Sequence, residues 1–259
     1  MTGHVLSETS GGVLTLTLNR PEKKNALTRA MYQALGEAID AAADDPAVRC
    51  ILIQAEGDMF TAGNDIADFA SVAVAAAGQA DAAVQGNPLL AALAGAKTPL
   101  VAAVHGRAVG VGVTMLLHCD LVYVAEDAML TTPFVNLALV PEAASSMLLP
   151  ARIGHARAFS MFVLGEAVDG RTAAAWGLAN AAVPAGELRA KARAAAEAVA
   201  ARPPSAVALT KALMRDPAGI AARMAQEGAH FAAQLKSPEA REAFTAFAEK
   251  RAPDFSRVG

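Results

Sequence analysis

The chain has 259 residues, 54% of them hydrophobic, enough for a sizeable buried core and, at this length, for one main body with an appendage. Its 22 Lys and Arg against 25 Asp and Glu give a formal charge of −3 with only 18% of residues charged, so no basic field draws in nucleic acid. Cys50 and Cys119 stand far apart in apolar runs, which supports neither a disulfide framework nor a multi-cysteine zinc site and fits a reducing compartment best.

The polar start, Met1 to Gly11, lacks a leader pattern, and no apolar run approaches the roughly 18–20 residues of a membrane span, so a cytoplasmic protein with no membrane partner is expected. Thr and Leu alternate from Val13 to Leu18 at the period of a half-buried strand, and Asn19-Arg20-Pro21 ends it. Thr28 caps a helix in which Met31, Leu35, Ile39 and Ala42 recur until Asp44-Asp45-Pro46. Cys50 to Ile53 reads as a strand buried on both faces, as in a parallel sheet. Asp68 to Ala96, alanine-rich and broken at Gly78, Gly86 and Pro88, reads as two helices forming a flexible wall. A strand over Leu100 to Val104, a glycine turn, a helix over Val111 to Leu117 and a strand over Leu121 to Val124 follow. The alternation implies α/β architecture. Past Val183-Pro184 four helical stretches follow: Glu187 to Ala201, Ser205 to Met214, Gly219 to Leu235 and Pro238 to Lys250. Arg202-Pro203-Pro204 cannot continue a helix, so it divides a body, 1–201, from a helical region, 202–259.

Three segments break the local rules. Phe60 to Ile66 is a small-residue turn after a strand, able to offer free amides to an anionic oxygen; equally, Gly63 supplies a positive φ and Asp65 caps a helix. His105 to Thr114 opens an apolar helix through Gly106, Gly110 and Gly112, a second donor site or a close strand–helix packing. Its spacing fits neither the dinucleotide fingerprint nor the phosphate-binding loop. Glu142 is the one charge between Met129 and Pro150, either a desolvated general base or an ordinary helix-start acid after Pro141. Ser145 and Ser146 lack a nucleophile elbow and suit backbone groups at a helix start, while consecutive His118-Cys119-Asp120 suits core and turn roles. The five histidines show no metal-ligand spacing.

In this order, Asn19-Arg20-Pro21-Glu22-Lys23-Lys24-Asn25-Ala26-Leu27, Phe60 to Ile66 and Gly106 to Asp120 resemble the crotonase superfamily, the enoyl-CoA hydratase/isomerase family, over nearly the whole chain. The resemblance implies a spiral of β-β-α units with a C-terminal helical region, assembled as homotrimers or pairs of trimers. It implies an acyl-CoA thioester substrate, coenzyme A being part of that substrate rather than a resident cofactor, and no metal. The amides of Ala62 and Val111 would hold the thioester oxygen, Val111 standing where relatives commonly have glycine. Lys23, Lys24 and Lys250 would meet the CoA phosphates, and Ala26, Thr61, Gly63, Asn64, Asp65, Ile66 and Gly110 would border the ester. Phe134 and Leu137 would line the acyl pocket.

The two glutamates of family hydratases fall on Thr114 and Phe134, whereas Glu142 matches the single base of peroxisomal-type 3,2-enoyl-CoA isomerases. The expected activity is therefore a double-bond shift. The alternatives are a hydratase, a hydrolase or dehalogenase-like enzyme using Glu142 as nucleophile, and a non-catalytic acyl-CoA-binding protein.

Overall fold

The computed structural model describes residues 3–65 and 87–258. Its strands are β1 (Val5–Ser10), β2 (Val13–Leu18), β3 (Cys50–Ala55), β4 (Leu100–Val104), β5 (Arg107–Val109), β6 (Leu121–Ala125), β7 (Met129–Thr131), β8 (Val168–Asp169) and β9 (Ala181–Val183). The α-helices among the described residues are α1 (Arg29–Ala41), α2 (Pro88–Gly95), α3 (Val111–Thr114), α4 (Ser145–Ile153), α5 (His155–Phe159), α6 (Gly170–Trp176), α7 (Leu188–Ala200), α8 (Pro204–Leu213), α9 (Pro217–Gln234) and α10 (Pro238–Ala248).

The main sheet runs β1-β2-β3-β4-β6-β9, antiparallel only between β1 and β2; β5, β7 and β8 make a second, small sheet. Ile51, Leu52, Leu100 and Val101 are buried on both faces of the central strands, which is why those segments read as continuous apolar runs. Thr28 caps α1 by accepting from the Met31 amide at 3.3 Å, and Met31, Leu35 and Ile39 turn its apolar stripe into the core. Leu188, Ala192, Ala196 and Ala200, four residues apart, lay α7 on β3, β4 and β6, their small side chains allowing close approach.

The architecture is α/β, as expected. Of the two helices read between Asp68 and Ala96, the second is α2, capped by Asn87; the first, with Ile66, lies outside the described residues. The helix expected over Val111 to Leu117 is α only to Thr114 and continues as a 3₁₀ turn over Met115–His118. Strand β1 escaped the sequence because it is an edge: Val5 is buried while Leu6 and the polar residues after it face out. The strands of the small sheet and β9 have two or three residues each, too few to show a period.

Buried polar contacts pin the C-terminal helices to the body. Lys211 of α8 donates from Nζ to the Thr98 carbonyl at 2.8 Å and to the Asp120 carboxylate at 2.7 Å, and that carboxylate also accepts from the Leu100 amide. The sheet ends are thereby tied to a helix about ninety residues further along the chain.

Candidate functional site

The first candidate segment is shaped by Asn25, a buried side chain in left-handed backbone. Its Oδ1 accepts from the Arg20 amide, and its Nδ2 donates to the carbonyls of Glu56 and Met59 at 2.7 and 2.9 Å. Thr61 Oγ1 donates to the Asn25 carbonyl and accepts from the Gly63 amide, while Arg20 pairs with Asp65 at 2.6 Å. Thr61 and Asp65 thus hold the loop with their side chains.

The backbone amides then sort themselves. Thr61 donates to Arg107, Ala62 to Lys24 at 2.9 Å, Gly63 to Thr61 and Asp65 to Leu27. The expected role of Ala62 as oxyanion donor does not hold, because its N–H is consumed in pairing the loop with the 24–27 segment. The free amide is Asn64, which donates to no group among the described residues. The Asn64 side chain is held in turn by the hydroxyl of buried Tyr32, which donates to its Oδ1.

The second segment lies directly alongside. Thr61 bridges Ala108 in parallel pairing, a Cβ on Gly63 would stand 2.9 Å from the Val109 carbonyl oxygen, and one on Gly112 would stand 2.4 Å from Thr61 Cγ2. Glycine at 63 and 112 is what lets the two segments touch. Gly110, at φ +56°, gives its amide to Thr131 and opens α3, whose first amide, Val111, has no acceptor among the described residues. The Val111 side chain is buried in the apolar core, so valine in place of glycine leaves the donor in place.

Glu142 does not belong to the helix that follows it. Helix α4 begins at Ser145 after two alanines in left-handed backbone, Ala143 at φ +63° and Ala144 at φ +56°, and no side chain of its own caps it. The cap comes from α9: the Glu227 carboxylate accepts from the amides of Ala144 at 2.6 Å and Ser146 at 2.9 Å. The reading of Ser145 and Ser146 as the groups that satisfy this helix start is corrected accordingly, and Ser145 Oγ is buried without a partner.

The preceding carbonyl, Ala143, accepts from Nε2 of His118 at 2.8 Å. Burial first, then neighbouring cations, push His118 down to about 4, so the ring is neutral near pH 7, and its Nδ1 is left to accept from Arg215 at 3.2 Å. The histidine has the core role the sequence suggested.

With its backbone so fixed, Glu142 Oε1 is buried and makes no hydrogen bond. Desolvation, and behind it the Glu227 charge, raise its carboxyl from 4.5 to about 7. The helix-start alternative therefore fails on geometry. The Glu142 charge raises the Tyr32 phenol, second only to burial as a cause, and that phenol bonds Asn64 of the first segment. Phe134 is buried with its ring 6.1 Å from Phe162, and Leu137 is half-buried against the core. Positions 114 and 134, threonine and phenylalanine, carry no carboxylate.

The lysines are less organised. Lys23 is exposed, Lys24 is paired with Asp58 at 2.6 Å with both side chains largely exposed, and Lys250 is exposed after α10. Ala26 gives its carbonyl to Arg20. Among the described residues no cluster of His, Cys, Asp or Glu could hold a metal ion, and no helix is long and apolar enough to cross a membrane.

Sequence reasoning missed Asn64 as the free donor, Tyr32 as its support and Glu227. One signal was present. Ile220, Met224, Glu227 and Phe231 share one face of α9, so Glu227 is an acid on an otherwise apolar stripe.

Comparison with known proteins adds the lineage. The sequence model of the enoyl-CoA hydratase/isomerase family matches residues 8–257. The chain is 35% identical over 215 residues to enoyl-CoA delta isomerase 2 of Rattus norvegicus, covering 82% of this chain and 54% of that longer protein. It is 33% identical over 245 residues to the 2,3-dehydroadipyl-CoA hydratase of Escherichia coli (strain K12), covering 94% of each. The crystal structure of an enoyl-CoA hydratase/isomerase from Pseudoalteromonas atlantica T6c superposes with a TM-score of 0.89 at 40% identity, over 97% of this chain and 99% of the other.

Proposed function

This chain belongs to the enoyl-CoA hydratase/isomerase family, and from that premise we propose that it moves the double bond of a 3-enoyl-CoA thioester to the 2-position. Glu142 takes a proton from the α carbon, the amides of Asn64 and Val111 hold the thioester oxygen as charge develops in the dienolate, and the same carboxyl returns the proton at the γ carbon. The proton is conserved and no second acid is needed. Amides fixed before the reaction stabilise that charge more than they stabilise the neutral carbonyl.

The observation that carries this reading is the one carboxylate that, among the described residues, has a buried oxygen without a partner. Glu142 Oε1 is buried and unpartnered, at about 7 the group both takes and returns a proton near neutrality, and no carboxylate stands at Thr114 or Phe134. Water addition needs one group to activate water and another to deliver the α proton, each contributing about 10²–10⁴-fold. In the same proposal Lys23, Lys24 and Lys250 meet the CoA phosphates, the backbone of Ala26, Gly63 and Gly110 borders the ester, and Phe134 and Leu137 line the acyl pocket. Residues 202–259 serve assembly: Leu213 and Met214 of the α8 end, 88% and 80% exposed, support homotrimers or paired trimers.

The test gives the purified protein a 3-enoyl-CoA and, separately, a 2-enoyl-CoA, and follows conjugated-thioester absorbance with product identification. Conversion of the first without hydration of the second is expected, with kcat/KM rising as pH passes about 7 and Glu142 ionises. Efficient hydration of the 2-enoyl ester, or a Glu142→Gln variant with undiminished turnover, would overturn the assignment.

A further inference from the structure

We infer that Glu227 is a positioning residue for the site, reaching from α9 to lock the 142–146 turn so that the Glu142 carboxyl stands free of its own backbone. The inference rests on the reading of Glu142 as the base. Its ground is geometric: the two oxygens of one buried carboxylate are spent on the amides of Ala144 and Ser146, on either side of the Ser145 amide that returns to the Glu142 carbonyl.

The arrangement is more than a helix cap. Helix starts are ordinarily capped by a local Ser, Thr, Asp or Asn in extended backbone, which needs no help from a distant element. Here the N-cap is Ala144 in left-handed backbone, preceded by a second left-handed alanine, a conformation that L residues disfavour. It persists because Glu227 draws the amides from one side while His118, itself bonded to Arg215, draws the Ala143 carbonyl from the other. Both anchors come from far along the chain, and together they hold the turn without drawing on the Glu142 carboxyl, whose buried Oε1 keeps no partner.

A second feature separates Glu227 from a neutral cap. Burying one carboxylate near another is unfavourable to both, and a glutamine or a local hydroxyl would satisfy an amide without that cost. The charge makes Glu142 a stronger base than burial alone would. Among the described residues, the charged or titratable groups about this pair are Arg223 on the helix of Glu227, Tyr32 of α1, and the His118–Arg215 pair beyond Ala143; α2, which packs on α9, carries none. Arg223 offsets the Glu227 charge, behind the hydrogen bonds that Ser146 and Ala144 give it.

The test compares Glu227→Gln and Glu227→Asp with the parent, without substrate and with it. Carboxyl-labelled glutamate is followed by NMR, the Glu142 signal being the one lost in Glu142→Gln, and amide exchange is read at Ala144 and Ser146. Glu227→Gln removes the charge while keeping one acceptor: the Glu142 midpoint should fall by about half a unit to one unit, the rising limb of the pH profile should move with it, and kcat should drop about three- to tenfold. Glu227→Asp keeps the charge but is one methylene short: the midpoint should hold, while both amides lose protection and kcat falls. An unmoved midpoint in Glu227→Gln, or unchanged kcat and protection in Glu227→Asp, overturns the inference, and either variant alone can do so if the other fails to fold. Because the midpoint and the protection are read without substrate, they judge Glu227 even if Glu142→Gln keeps its turnover and the proposed reaction falls.

Discussion

Replacing Glu142 by Gln should remove the turnover proposed for this chain and, because the burial that raises its carboxyl penalises the ionised form, stabilise the fold. Burial and the Glu227 charge hold this carboxyl at about 7 against an ordinary 4.5. At about 1.4 kcal/mol per pH unit, the ionised side chain is about 3 kcal/mol less favourable in the folded than in the unfolded chain. The sign follows from which state holds the proton. Between 4.5 and about 7 the folded state binds more protons, so stability falls as pH rises through that window, and the whole penalty is present above it. Glutamine carries no charge to desolvate. Its advantage over glutamate should be about 1 kcal/mol at about pH 5 and about 3 kcal/mol at about pH 8. Urea denaturation of both proteins at equal protomer concentration reads the difference, and the rest of the protein's pH dependence cancels in it. A difference that stays the same at both pH values, or a glutamine variant less stable at the higher pH, would refute the reasoning, because it would mean that the carboxyl is hydrated.

Tyr32→Phe removes the hydroxyl that fixes the Asn64 side chain, and the loss of one such bond, about 1 kcal/mol, should lower kcat/KM about fivefold in steady-state assays while thermal stability changes little. Lys211→Met strips the buried cation from Asp120 and the Thr98 carbonyl and should cost about 1–3 kcal/mol of stability, seen as a lower thermal midpoint; an unchanged midpoint would show that α8 is held by apolar contact alone. Ala144→Gly relieves a side chain at φ +56° and should raise stability by about 0.5–1 kcal/mol, measured as a shift in the denaturation midpoint.

The fold was legible where elements are long and one face is buried. The alternation of β2, the apolar runs of β3 and β4, and the stripe of α1 all follow from periodicities that packing enforces, and the structure returns them within a residue or two. The edge strand β1 and the two- and three-residue strands were not legible, because an exposed or very short strand leaves no period to read. The site divides in the same way. Its glycines and its lone acid announce themselves locally: Gly63 and Gly112 sit where any Cβ would strike the neighbouring segment, and Glu142 interrupts an uncharged stretch.

What leaves the Asn64 amide and the Glu142 carboxyl free is non-local. Ala62 and Asn64 are two positions apart in one loop, and only the carbonyl of Lys24, nearly forty residues earlier, decides which amide is spent and which remains. The same holds for Glu142. In sequence it is a proline-adjacent acid that any helix start would accept; in the folded chain Glu227, 83 residues beyond Ala144, takes over the cap, and His118, 25 residues before Ala143, takes the carbonyl. An acid relieved of its ordinary local duty, with one carboxylate oxygen buried and unpartnered, is destabilising when ionised, and the fold retains it through contacts that run between the sheet body and the C-terminal helices. That retained cost is the physical argument for the role proposed for this residue.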